Sequence, residues 1–191
     1  MIDLAATFVK DQLAQHLERS LDAASGTVML AGFHGPNGAL NPDLEDKLVI
    51  TVVSVAQDVG SGRRSTQLSG VAGARNALVS ASPLNLTVTM LLVASFSSHQ
   101  QGLRYLSSSM SYLHARSPFL SDSSPRFPEG VAKLDLQIEN LSFHDMSNLW
   151  GFLGAKQQPC MAYTMRVVPL VAQYPTAELP TIRSPGAEVQ S

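Results

Sequence analysis

Lys133-Leu134-Asp135-Leu136-Gln137-Ile138-Glu139 alternates apolar and polar residues without a break. An extended chain with this order buries one face and wets the other, the pattern of a half-covered strand. Directly after it, Ser142 with Asp145 three residues on opens a helix in capping-box fashion. Met146, Leu149, Trp150 and Leu153 then fall at helical spacing, and Gly154 closes the helix. Pro159 leads into a further strand, Cys160 to Val168. This strand, helix and strand set the terms for the rest of the chain, because each has one apolar face that needs a shared core.

Working outward, Ser97 and Ser98 precede Leu103, Leu106, Met110 and Leu113, an amphipathic helix that ends near Ser117-Pro118. The polar stretch from Leu120 to Gly130 reads as a connecting loop. Leu84 to Val93 alternates, with Leu84, Leu86, Val88, Met90 and Leu92 on one side, and predicts a strand. Lys47 to Ala56 is apolar on both faces, as a central strand covered on two sides would be. Ile2 to Leu21 places Leu4, Phe8, Leu13, Leu17 and Leu21 at helical spacing with Asp3 as its N-cap, and a short strand follows at Thr27 to Ala31. The order is helix, strand, strand, long loop, strand, helix, strand, helix, strand. It predicts an α+β fold, a mixed sheet of about five strands with three helices packed on it.

The 191 residues, 45% of them apolar, suit one domain, which the pattern places at residues 1–170. Two segments fall outside the periodic elements. From Gln57 to Pro83 the composition shifts to Gly, Ser and small residues with Arg63, Arg64 and Arg75 against Asp58, and predicts a long loop (57–83). Residues 171–191 carry Pro175, Pro180 and Pro185 and read as an extended Pro-rich C-terminal tail. The loop arginines are the one site-like feature of the chain. Their guanidinium groups suit bidentate pairing with carboxylates, so they are candidate assembly contacts, against the plainer reading of a solvated loop.

Composition narrows the function. The net charge is -2 and only 15% of residues are charged, where about 25% is typical, so no general basic field for nucleic acid is expected. One cysteine, Cys160, excludes an internal disulfide and a cysteine zinc site. Met1-Ile2-Asp3-Leu4 has no basic n-region, and the longest apolar run, Met90 to Ala94, is far short of a bilayer span, so cytoplasmic synthesis without membrane insertion is expected.

The search for chemistry is nearly empty: no G-x-S-x-G, P-loop, H-E-x-x-H or complete G-x-G-x-x-G is present. His16, His34, His99, His114 and His144 are scattered singly, and neither a metal nor a cofactor is expected. His144 beside Asp145 points elsewhere on a helix, so a capping role for Asp145 is the simpler account. Cys160 reads as a buried structural thiol and Trp150 as a core residue.

Glu139-Asn140-Leu141-Ser142, then Leu149-Trp150-Gly151-Phe152-Leu153-Gly154, then Pro159, Tyr163 and Arg166 resemble the N-L-S, L-W-x-x-L-G, P-x-x-x-Y-x-x-R pattern of the tail-terminator or cap proteins of extracellular contractile injection systems. Met1-Ile2-Asp3-Leu4 and Pro83-Leu84-Asn85-Leu86 fit the same family, and the resemblance reaches to about Val168. It implies a phage tail-terminator-like fold and a structural protein of a phage-tail-like particle. Several copies, six by family likeness, would form a homohexameric ring on the inner tube and sheath opposite the baseplate and stop their polymerisation. The partners implied are the chain itself, tube and sheath subunits. Strand addition between neighbouring subunits is one means of contact such particles offer. Longer family members carry further domains, which leaves a smaller cap adaptor or a chaperone-like binding module of the same particle as alternatives. An enzyme is the remaining one, disfavoured by the missing constellation.

Overall fold

The computed structural model describes residues 1–35, 37–58, 67–69, 76–80, 84–169 and 177–180. Helix α1, Ile2–Leu21, starts at Met1 with no side-chain cap. Asp3 is not the N-cap that the sequence suggested: it lies in the first turn, where its carboxylate takes the terminal amine at 2.8 Å. That contact holds the Asp3 carboxyl below its ordinary range. Ala5, Ala6, Phe8, Val9, Leu13 and Leu17 form the buried stripe, while Leu4 stays exposed.

Strand β1, Val28–Leu30, runs parallel to β2, Lys47–Gln57. The expectation of a strand covered on both faces holds for Leu48 to Thr51 and fails beyond, where Val52 and Val55 are exposed. A bulge between Val52 and Ser54 shifts the register there, and bulges of this kind bend and twist a strand away from the sheet.

After β2 the predicted loop holds two strands, β3 at Gln67–Ser69 and β4 at Asn76–Ser80. The predicted tail holds a third, β9 at Ala177–Pro180, antiparallel to β4. Together they make a small sheet in the order β3-β4-β9. Proline is tolerated in a strand at a sheet edge, and the strand ending at Pro180 lies at one.

The main sheet has six strands rather than about five, ordered β1-β2-β5-β8-β7-β6. Its other members are β5 (Leu86–Ser95), β6 (Phe119–Leu120), β7 (Val131–Glu139) and β8 (Cys160–Pro169), antiparallel to their neighbours. The extra strand is β6, two residues at the start of the stretch read as a connecting loop, of which Leu120 lies inside it, too short for alternation to register.

Alternation along β5 sorts the two faces. Val88, Met90, Leu92 and Ala94 join the larger core with Phe8, Leu13 and Leu17 of α1 and Tyr105, Leu106 and Leu113 of α2 (His99–Arg116). Leu91 and Val93 join a smaller core on the opposite face with Val49, Ala162 and Trp150 of α3 (Phe143–Leu153). The fold is therefore a mixed sheet with two helices on one face and one short helix on the other. Among the described residues no helix is long and apolar enough to cross a membrane.

Candidate assembly surface

Among the described residues no three of His, Cys, Asp or Glu gather as metal ligands would. His16 bridges the helix seam, with Nε2 3.0 Å from Ser108 Oγ and its ring stacked on Tyr112. Desolvation holds its pKa below the ordinary value. His144 Nε2 pairs with Asn148 Nδ2 at 3.0 Å on the exposed side of α3.

Ser142 is the N-cap of this helix, with Asp145 as its partner in the cap. The Asp145 backbone N–H donates to Ser142 Oγ at 3.1 Å, and the Ser142 hydroxyl donates to Asp145 Oδ2 at 2.6 Å. Gly154 ends α3 in the left-handed region with φ 63°, a conformation glycine adopts without penalty. Trp150 is buried against Phe33. Cys160, half-buried, donates its thiol to Met146 Sδ at 3.6 Å, and burial pushes its pKa up. A raised pKa keeps the thiol protonated and unreactive, the opposite of an activated nucleophile.

Arg63, Arg64 and Arg75, the candidate contacts of the sequence, lie outside the described residues. Asp58, the acid of the same stretch, pairs with Arg166 of β8, Oδ2 to Nε at 3.4 Å.

The feature that sequence reading missed lies on α3. Trp150 is the one buried residue of this helix, and Phe143 and Phe152 are 96% and 80% exposed. By helical geometry, Met146, Leu149, Trp150 and Leu153 point at the sheet, with Phe143 about 70° to one side of that stripe and Phe152 about 110° to the other. Plotting the segment at 100° per residue would have shown Phe152 off the stripe. No one-dimensional signal shows that cover stops short of Phe143.

Beside Phe143 runs an open groove of about 480 Å³, lined by Leu141, Phe143, Met146, Gln157, Pro159 and Cys160. Beyond α3 the same face of the sheet turns polar, with Thr87, Arg166 and Asp135 in one cross-strand row. Lys133 pairs with Asp135 at 3.5 Å there. Such a surface offers apolar and charged contacts of the kind that bind other macromolecules.

A family model described as the Pvc16 N-terminal domain matches residues 6–184. A search of curated proteins finds no match by sequence. Among solved structures, the fold is similar to the sheath/tube terminator of an extracellular contractile injection system, PVC, in its extended state: TM-score 0.59 and 13% identity over 100% of this chain and 64% of that one. It is similar also to the tube-terminating cap of the anti-feeding prophage, with TM-score 0.56 and 13% identity over 99% of this chain and 61% of that one. The chain thus spans less than two thirds of either protein's length. The expected tail-terminator-like fold is the one observed.

Proposed function

Because this chain belongs to the Pvc16 N-terminal domain family, we propose that it is a structural terminator of a contractile injection system. In this reading several copies, six by family likeness, form a ring on the end of the inner tube and sheath opposite the baseplate and halt the growth of both. The observation that carries the reading is the family match over residues 6–184, joined by a fold shared along the whole chain with two proteins named as a terminator and a cap.

The mechanism is physical. A ring closes when two different patches on each subunit meet at a fixed angle, and growth stops because the outer side of the ring does not repeat the acceptor surface of the tube. No step requires a cofactor or a reactive side chain. Arg63, Arg64 and Arg75 are assembly contacts in this reading, pairing with carboxylates of a neighbour. Residues 1–170 supply the folded body, and residues 171–191 an arm for docking, of which Ala177–Pro180 is a strand.

Negative-stain imaging of particles from a strain lacking this gene tests the reading. Tubes and sheaths of uncontrolled length, or with frayed ends, are expected. Particles of normal fixed length with intact ends would overturn it.

A further inference from the structure

Phe152 and the groove beside Phe143 sit on different sides of one 11-residue helix. Nine residues separate the two phenylalanines, which puts them about 180° apart around the axis and about 13 Å apart along it. The groove, at about 480 Å³, is roughly three times the 150 Å³ or so in which an apolar cavity holds benzene. A phenyl ring on a short stem therefore fits it, and the chain itself displays one.

Charge assigns the direction. Asp145 lies seven residues before Phe152, on the same flank of α3, and is exposed. Lys156 is exposed and immediately precedes Gln157 of the groove wall. Among the described residues neither Asp145 nor Lys156 forms a salt bridge. The knob's flank thus carries a carboxylate that only the Ser142 hydroxyl holds, and the chain next to the groove wall carries an ammonium with no ion pair among the described residues.

We propose that α3 supplies both halves of a head-to-tail contact between copies of this chain: Phe152 of one copy seats in the groove of the next, with Asp145 of the first against Lys156 of the second. Two unlike patches on one subunit make a heterologous contact, which closes into a ring when the rotation allows it. The inference rests on the ring reading above and deepens it by naming the surface that joins the subunits.

The test is sedimentation of the full chain across the micromolar range, with melting temperatures taken to verify that each variant is folded. Phe152→Glu, Asp145→Lys and Lys156→Glu should each weaken self-association by about tenfold or more. The double variant Asp145→Lys/Lys156→Glu should recover it. An equimolar mixture of the two single charge variants should recover it too, because alternating copies then meet opposite charges at every junction.

A monomeric wild type, a Phe152→Glu variant that associates normally, or a double variant as weak as the singles would each overturn the inference. So would a Phe152→Glu variant that self-associates normally yet no longer binds tube or sheath, which would give this surface to another partner. Particle length in the deletion strain reads the terminator role separately, so either result can fail without the other.

Discussion

The ring of Phe33, in the loop after β1, meets the indole of Trp150 on α3 edge-on, with centroids 5.5 Å apart and planes at 63°. This pair ties the loop to the helix over the small core of Val49, Leu91, Val93 and Ala162. Because Trp150 is the one fully buried side chain of α3, the helix depends on it for its seat. Trp150→Ala should cost about 3 to 5 kcal/mol of fold stability, read by chemical denaturation. A variant with unchanged stability that no longer assembles would show that the indole serves a partner instead.

Tyr163 on β8 is 2% exposed, and among the described residues its hydroxyl has no hydrogen-bond partner. Burial pushes its pKa up to about 12 from 10. A folded-state pKa above the unfolded one gives stability that is fully present below pH 10 and lost as pH rises from 10 through 12. Tyr163→Phe should therefore be neutral or slightly stabilising at pH 7, since it removes an unpaired buried hydroxyl. At pH 11, midway through that window, it should also remove about 1 kcal/mol of alkaline loss. Urea melts at pH 7 and pH 11 check both, and a variant that loses stability at pH 7 would mean the hydroxyl is paired.

Much of the main body was legible because its signals are local. Alternation from Lys133 to Glu139 and the Ser142-x-x-Asp145 start predict β7 and α3, and both stand where expected. What stayed hidden depends on residues far apart in sequence. β4 and β9 lie about 100 residues apart and pair through backbone groups, which carry no sequence signature. The outer half of β2 looks as apolar as the inner half, and only the extent of tertiary cover separates them. Phe143 is hidden for the same reason: it continues an apolar face past the place where the sheet stops covering it.

Ser142 caps α3 shortly after β7 ends, and its hydroxyl satisfies the N–H of Asp145 while donating to that residue's carboxylate. Ser142→Ala leaves that N–H without its partner, so a loss of about 1 kcal/mol is expected. Ser142→Asn should retain most of the stability, because its amide oxygen can accept the same bond without setting a second carboxylate against Asp145. Equal losses in both variants would mean the cap contributes nothing.

Cys160 should be slow to modify. Its thiol is half-buried, faces Met146 Sδ, and is held protonated by burial, whereas attack requires the thiolate. Labelling by a maleimide at pH 7 should be slower in the folded chain than in the urea-unfolded chain, and the gap should persist to a pH above that at which an ordinary thiol ionises. Equal rates in the two states would show an open, activated thiol.

Truncation after Ala172 separates the two sheets. It removes β9, whose residues Ala177 to Pro180 pair with Val79 to Asn76 of β4, but no strand of the six-stranded sheet, which ends with β8 at Pro169. Loss of an edge strand leaves the N–H and C=O groups of its neighbour unpaired and open to another chain. The truncated protein should therefore melt within a few degrees of the full chain, because both hydrophobic cores are intact. Amide exchange should nonetheless quicken across Asn76 to Ser80 while β5 and β8 keep their protection. If the terminator reading holds, the same variant should bind tube or sheath subunits more weakly in a pull-down. A truncated chain that unfolds outright would show that β9 contributes to the main core, and one that exchanges and binds like the full chain would leave this strand without a role in either.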